Sequence, residues 1–211
     1  MSMARHAAIL GGFTLVCTAA IVLVQQLTAP RIQAEQDAAF ARLLGEVLPL
    51  SAYNNNIARD CTLVEAADVF GRSSAVTVYR ARQDGAPAAL VFSATAPDGY
   101  SGDIDLLIAL YPDQRIAGVR VTAHQETPGL GDKIERRKDD WIDQFRGLSL
   151  SQPAEAKWTV RKDGGDFDGF TGATITPRAV IHALRRVQQY HLAQRDALYA
   201  APNHCAEAGA P

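Results

Sequence analysis

The hydrophobic and polar positions divide the chain into an apolar N-terminal segment and a longer segment of mixed polarity. Residues 7–30 carry no charged side chain, whereas both signs of charge recur throughout the remainder. As a helix, the roughly 21 residues of 7–27 rise about 31 Å, enough to cross the hydrocarbon core of a bilayer. This pattern predicts an uncleaved membrane anchor, and Pro30 is expected to end or kink its helix.

Two alternatives to the anchor stay open: a cleaved signal peptide and a buried helix of a soluble protein. A signal peptide would use Arg5 as its basic start. Its candidate cleavage site, however, has Leu27 where small residues are preferred, and Pro30 would follow the cut. Flanking charge does not decide the orientation, because Arg5 and Arg31 stand near the two ends of the apolar segment.

Beyond the anchor, the patterning predicts an α+β domain. Two pairs of apolar-rich segments around turn signals predict antiparallel strands, with a turn at Asp84-Gly85 in the first pair and Pro112 in the turn of the second. Apolar residues at helical spacing predict helices before and after the strands. The predicted elements are an amphipathic juxtamembrane helix over 32–48, strands over 75–82, 88–95, 104–111 and 116–123, a short helix around 139–145 and a long helix over 177–198.

This order gives four segments of unequal size. They are an N-terminal anchor at 1–30, a juxtamembrane helix and connection at 31–60, one α+β domain at 61–198 and a C-terminal tail at 199–211. The composition, 47% hydrophobic and 21% charged, is typical of a folded domain and excludes a disordered chain. The net charge of −2 argues against a nucleic-acid partner, which requires a basic surface.

The cysteines bear on the compartment. Cys17 lies inside the apolar segment, so Cys61 and Cys205 are the two cysteines of the polar domain. An even pair fits a disulfide formed in an oxidising compartment. Two unpaired buried thiols in a reducing compartment fit the sequence nearly as well.

One segment, residues 123–133 with the sequence AHQETPGLGDK, does not have the pattern of a packed element. Its glycines and proline surround the single apolar residue Leu130, which is typical of a loop whose backbone approaches a ligand closely. His124 and Glu126 are candidate metal ligands or proton carriers, but a third ligand at fixed spacing is missing, so no metal site is predicted. An ordinary glycine-rich connection after a strand remains the alternative.

A second segment, residues 163–177 with the sequence DGGDFDGFTGATITP, also lacks the pattern of packing. Thr176 before Pro177 predicts an N-cap followed by proline at the first helical position. The N-terminus of a helix attracts anions such as phosphate. An ordinary capped helix start explains the residues as well. With no histidine in the segment to activate a threonine hydroxyl, self-catalysed chemistry there is not expected.

Residues 168–174, DGFTGAT, fit the pattern Asp-x-x-(Ser/Thr)-Gly-Ala-Thr, at whose final threonine a flavin transferase attaches FMN through a phosphoester bond. With the apolar N-terminus, GYSGDI at 99–104 and HQETPGLGDK at 124–133, nearly the whole sequence resembles the family of G subunits of the Rnf (Rsx) electron transport complex. The C subunits of the sodium-translocating NADH:quinone reductase, which share this FMN-binding domain, are the alternative among related proteins.

The resemblance implies a flavin site made of two segments. Thr174 carries covalent FMN, Asp168 belongs to what the transferase recognises, and Thr127 and Leu130 are the expected contacts of the flavin. Any side chain added at Gly129 or Gly131 is expected to collide with the flavin. The full set of implied cofactor-binding residues is Thr174, Asp168, Thr171, Gly172, Ala173, Thr176, Glu126, Thr127, Gly129, Leu130 and Gly131.

The resemblance further implies a redox carrier within a larger assembly rather than a stand-alone enzyme. Such a protein works in a bacterial inner-membrane complex that couples NADH and ferredoxin chemistry to ion movement, with sister subunits and a maturing flavin transferase as partners. The main domain is expected on the periplasmic side, which agrees with a Cys61–Cys205 disulfide. Two other classes stay open: an anchored non-redox binding domain, and a metal-dependent hydrolase using His124, Glu126 and His182.

Overall fold

The computed structural model describes residues 2–205, and the chain divides into two compact units between Leu43 and Leu44. The first unit consists of most of helix α1, Ser2–Val47. Within it, Met3–Ile32 reaches a mean hydropathy of 2.4 with no buried residue, so this helix is long and apolar enough to cross a membrane. The N-terminal apolar helix predicted from the sequence is therefore confirmed.

The prediction that Pro30 could end the anchor helix is wrong. Helix α1 continues through Pro30 to Val47, so the predicted juxtamembrane helix is part of α1 rather than a separate element. Proline removes one backbone donor and one hydrogen bond, but the remaining backbone bonds can carry the helix past it.

The second unit, which begins at Leu44, contains a five-stranded sheet and two helices joined by several 3₁₀ turns. The strands are β1 (Cys61–Val64), β2 (Val76–Gln83), β3 (Ala86–Ala96), β4 (Ile104–Leu110) and β5 (Ile116–Ala123), and the helices are α2 (Ala67–Phe70) and α3 (Ile175–Ala200). The α+β class is thus confirmed. The 3₁₀ turns are Leu50–Ala52, Ile57–Arg59, Gly131–Ile134, Asp140–Phe145, Glu155–Lys157 and Arg161–Asp163.

The sheet is an antiparallel meander in which each strand pairs with its neighbour in sequence, in the order β1-β2-β3-β4-β5. Its central register places Val78 opposite Phe92 and Phe92 opposite Ile108. The four strands predicted around the two turn signals are present within two residues of their predicted ends. Strand β1 was not predicted, because four residues are too few for an alternating pattern.

Helix α3 covers this sheet and closes the main hydrophobic core. Val180, Leu184 and Val187, which the helical spacing places on one side, are fully buried against the sheet. On β5, Gly118 lets the chain at Val47 approach closely, since a Cβ there would lie 2.5 Å from the Val47 carbonyl oxygen. The sheet is therefore packed by α3 and by the C-terminal end of α1.

The C-terminal end of α3 is fixed to β1. A disulfide joins Cys61 to Cys205, with a Cα–Cα distance of 5.4 Å. Asn203 Oδ1 accepts hydrogen bonds from the backbone N–H groups of Cys61 (3.1 Å) and Cys205 (3.0 Å). The buried Arg80 donates to the Ala201 carbonyl at 2.6 Å. Of the predicted tail, 199–205 are thus held in place, whereas 206–211 lie outside the described residues.

A buried histidine on α3 leads to a prediction about acid stability. His191 is 1% exposed, and within residues 2–205 neither of its ring nitrogens has a hydrogen-bond partner. Burial, with a smaller contribution from Arg195, lowers the pKa of His191 to about 4. An unfolded chain binds this proton near pH 6.5. The free energy of unfolding therefore decreases as the pH falls from about 6.5 to about 4.

We expect His191→Leu to flatten this part of the stability profile, because leucine fills the site without binding a proton. Thermal unfolding of the detergent-solubilised full chain, followed between about pH 7 and pH 4, measures the slope. His204→Ala removes an exposed histidine and serves as the control that keeps the wild-type slope. If His191→Leu loses stability with acid as steeply as the wild type, another group is responsible.

Candidate functional site

The segment before α3 is packed, contrary to the sequence interpretation of 163–177. Phe167 and Phe170 are 3% and 8% exposed and belong to the main core. The Phe170 ring lies 5.0 Å from Trp141, and the Trp141 indole N–H donates to the Asp168 carbonyl at 2.7 Å. The two phenylalanines point inward, so residues between and after them, including Asp168 and Thr171, are exposed on a fixed loop.

Helix α3 begins earlier than predicted. Thr174, not Thr176, is the N-cap, and its side chain makes no capping hydrogen bond. Its backbone is already helical, with φ −77° and ψ −26°. Pro177 then stands third in the helix, which costs no hydrogen bond because N–H groups of the first turn lack intrahelical acceptors. Thr176 therefore does not cap the helix, and its buried side chain makes a hydrogen bond elsewhere.

That partner is Glu126, a buried carboxylate that joins three separate segments. Its side chain is 4% exposed. Glu126 Oε2 accepts a hydrogen bond from the Thr176 hydroxyl at 2.5 Å. Glu126 Oε1 accepts one from the Ser101 backbone N–H at 3.0 Å. The 99–104 segment, the 123–133 loop and the start of α3 therefore meet at one side chain.

Two glycines make room for this carboxylate. A Cβ on Gly131 would lie 2.9 Å from Glu126 Oε2 and 3.0 Å from Thr176 Oγ1. A Cβ on Gly99 would lie 2.9 Å from Glu126 Oε1 and closer still to the Gly102 carbonyl oxygen. A side chain at Gly131 would therefore meet Glu126 and Thr176 within the protein itself, and its collision with the flavin stays a prediction.

The loop between these contacts is a tight turn. The Thr127 carbonyl accepts hydrogen bonds from the backbone N–H groups of Leu130 (3.1 Å) and Gly131 (3.0 Å). Gly129 has φ +78°, where glycine is favoured, and its N–H donates to Asp132 Oδ1 at 2.8 Å. Unlike Gly131, Gly129 faces open space, with nothing within 4 Å of an added Cβ.

The two residues considered as metal ligands have other partners. His124 Nδ1 accepts the Glu126 backbone N–H at 3.0 Å, so its proton lies on Nε2, which donates to Glu135 at 2.9 Å. Hydrogen bonds from Arg137 and then from His124 lower the pKa of the Glu135 carboxyl. Across residues 2–205, the structure has no group of three or more His, Cys, Asp or Glu side chains able to hold a metal.

A half-open pocket of about 250 Å³ lies where the three segments meet. Three of its side chains, Tyr100, Leu130 and Ile175, are large, apolar and exposed by 67%, 43% and 43%. Asp168, Thr171 and Gly129, which the sequence interpretation included in the site, do not line it. The lining residues are Tyr100, Glu126, Thr127, Leu130, Gly131, Gly172, Ala173, Thr174, Ile175 and Thr176.

Sequence reasoning did not identify Tyr100 or Ile175 as site residues. Tyr100 stands between glycines at 99 and 102, and an aromatic residue in so open a turn is a signal for an exposed contact. Ile175 interrupts a polar run directly at the helix start. Its role follows only from the fold, because the earlier start of α3 turns it toward the pocket.

The comparisons with known proteins cover both units. The FMN-binding domain model matches residues 99–189, a range that contains all three segments of the pocket. The RnfG N-terminal region model matches residues 1–47, which includes the apolar helix. The chain belongs to the RnfG family. The resemblance inferred from the sequence is confirmed, in favour of RnfG over the related quinone-reductase proteins.

Curated relatives of this family match almost from end to end. A protein of Shewanella loihica is 42% identical over 204 residues, 97% of this chain and 96% of its own. One of Pseudomonas aeruginosa is 46% identical over 199 residues, 94% and 93% of the two chains. Both are named as the G subunit of an "Ion-translocating oxidoreductase complex".

The pocket fits the FMN that such a domain binds. Its exposed apolar side chains, Tyr100, Leu130 and Ile175, offer surface for a flat aromatic ring. Thr174 places a hydroxyl at the start of a helix, where a phosphate is favoured. Gly172, at φ +84°, also lines the pocket, and a Cβ added there would lie 3.6 Å from the Leu130 side chain, an ordinary contact distance.

Proposed function

We propose that the chain carries FMN attached to Thr174 by a phosphoester bond and passes electrons within an ion-translocating oxidoreductase complex. One observation carries the proposal. Thr174, the final threonine of the DGFTGAT motif, lines a pocket whose other walls come from the two remaining family segments. Bound FMN supplies the redox chemistry, and the residues of this chain attach it, orient it and exclude water.

The helix start suits the phosphate. A phosphoester on Thr174 lies at the N-cap of α3, beside the N–H groups of Ile175 and Thr176, which lack intrahelical acceptors. The positive end of the helix stabilises the remaining negative charge by about 0.3–1 kcal/mol. Since Thr174 makes no capping hydrogen bond, its modification breaks none in the helix.

The structure around Thr174 favours maturation by an external enzyme. Glu126, the nearest buried carboxylate in the pocket, has both oxygens engaged by Ser101 and Thr176. It is therefore poorly placed to take the proton of another hydroxyl. Asp168 is exposed on the fixed loop, 3.1 Å from Arg161, and is available to a flavin transferase that reads the motif.

The apolar helix and the disulfide support a proposal about the membrane and the compartment of the domain. We propose that α1 crosses the bacterial inner membrane once and that the flavin domain is periplasmic, where an oxidising environment maintains the Cys61–Cys205 disulfide. The relatives' name supports a place among sister subunits of one complex. We further propose that this complex links NADH and ferredoxin chemistry to ion movement.

Intact-mass measurement tests the attachment. The full chain, co-expressed with a flavin transferase, is expected to gain the mass of FMN less one water, and its denatured gel band to fluoresce. Expression without a transferase is expected to give the unmodified mass and no fluorescence. If co-expression leaves the mass unchanged and no flavin copurifies, the chain is an anchored domain without a redox role.

Gly129 and Gly131 form a matched pair that separates collision from backbone strain. We expect Gly131→Val to destabilise the domain by about 1–3 kcal/mol and reduce flavin loading, because its side chain displaces Glu126. Gly129→Ala adds no clash and costs only about 1 kcal/mol of backbone strain. Thr127→Val, which keeps the volume, is expected to change the flavin spectrum and hardly the stability.

Urea unfolding and flavin absorbance measure both quantities in these variants. Equal losses of stability at Gly129 and Gly131 would show that the Glu126 contact does not restrict position 131. Normal loading and an unchanged spectrum in both Gly131→Val and Thr127→Val would remove the loop from the flavin site.

A further inference from the structure

We propose that Glu126 is a positioning residue that shapes the flavin pocket before FMN arrives, and that its negative charge lowers the reduction potential of the bound FMN. The inference rests on the proposed function, which it deepens by assigning the organisation and tuning of that site to one side chain. Glu126 acts in this role through the residues that it holds.

The positioning role of Glu126 follows from its hydrogen bonds to two other segments. Ser101, Glu126 and Thr176 lie on three segments that are distant in sequence, and the Glu126 carboxylate bonds to the other two. These bonds hold the segments that carry the exposed residues next in sequence, Tyr100 and Ile175, and both of these residues line the pocket. Without the carboxylate, the buried Thr176 hydroxyl and the Ser101 N–H lose their partner.

The effect on the reduction potential follows from the burial of the Glu126 side chain without a counter-ion. In the described part of the chain, both hydrogen-bond donors to the Glu126 side chain, Ser101 N–H and Thr176 O–H, are neutral. The nearest imidazole, His124, bonds to the Glu126 backbone and directs its own N–H toward Glu135. Neither donor carries a positive charge that would offset a charge on Glu126, and Glu126 lies in the pocket wall.

A fixed negative charge in a poorly solvated wall opposes the addition of electrons nearby, because Coulomb interactions there are weakly screened. Removing that charge favours the reduced flavin. Gly99 and Gly131 support this role, since both leave space that the carboxylate oxygens of Glu126 occupy at close range. The site thus accommodates a carboxylate or an amide of the same shape, which allows charge and shape to be varied separately.

Hydrogen exchange of the full chain, produced without a flavin transferase, tests the positioning role in the absence of any flavin. In Glu126→Ala we expect the Ser101 amide to exchange about tenfold faster or more, since its hydrogen bond to the Glu126 side chain is lost. Glu126→Gln keeps an oxygen that accepts from Ser101 and is expected to stay near the wild-type rate. A wild-type exchange rate in Glu126→Ala overturns the positioning role.

Redox titration of the loaded chain tests the charge. We expect Glu126→Gln to shift the midpoint potential of FMN to a more positive value. Asp103→Asn removes an equal charge from an exposed position of the 99–104 segment and is expected to leave the potential unchanged. An unshifted potential in Glu126→Gln, or an equal shift in both variants, overturns the tuning role. Covalent flavin that persists in Thr174→Ala would instead overturn the attachment site, while leaving the exchange result valid.

Discussion

Thr174→Ala is expected to carry no covalent flavin and yet to remain folded. The substitution removes the oxygen that forms the phosphoester. Thr174 is only partly buried and makes no capping hydrogen bond, so its stability contribution is expected to stay within about 0.5 kcal/mol. Intact mass and in-gel fluorescence after co-expression with a flavin transferase measure the first effect, and urea unfolding measures the second.

Thr171→Ala is the matched control, since this exposed threonine of the same motif does not line the pocket. It is expected to keep most of the flavin mass. Flavin retained in Thr174→Ala but lost in Thr171→Ala would move the attachment to Thr171. Loss of flavin accompanied by a large loss of stability would indicate that Thr174 has a structural role instead.

The disulfide is expected to give the largest change in stability. Cys61 and Cys205 are 144 positions apart, and closing a loop of that length stabilises a fold by about 4–5 kcal/mol on the chain-entropy model. The double variant Cys61→Ala/Cys205→Ala should lose most of that amount. Urea unfolding of the detergent-solubilised full chain, with and without a reductant, measures the difference.

Cys17→Ser is the control for this experiment, because Cys17 is a free cysteine on α1. It is expected to match the wild type under both conditions. Thiol counting on the denatured, unreduced chain should find one reactive thiol in the wild type, from Cys17. Three reactive thiols, together with unchanged stability in the double variant, would contradict the disulfide and weaken the case for an oxidising compartment.

Much of the fold could be predicted because it depends on local periodicity. Strands β2 to β5 are apolar-rich runs bounded by turn residues, and Val180, Leu184 and Val187 repeat at the spacing of a buried helix face, as found. Pro30 shows where local rules fail. Proline commonly ends helices, yet α1 continues through Pro30. The backbone hydrogen bonds before and after Pro30 outweigh the one that is lost.

The candidate site was predictable as a set of motifs but not as an arrangement. Glu126 and Thr176 are 50 positions apart, and no spacing rule in the sequence indicates that their side chains meet. Phe167 and Phe170 look like loop residues because glycines and aspartates surround them, yet both enter an aromatic cluster with Trp141. Contacts between distant residues decide these positions, and one sequence does not show them.

The meander has a consequence for the order of assembly. Each strand pairs with the next one along the chain, so the sheet can grow hairpin by hairpin as the polypeptide is completed. The pocket cannot, because Thr176 reaches Glu126 only after α3 has packed on the sheet. Thr174, the proposed attachment residue, therefore lies beside a complete pocket only after this step. A misfolded copy, in which α3 has not packed on the sheet, would lack the pocket surface that a flavin requires.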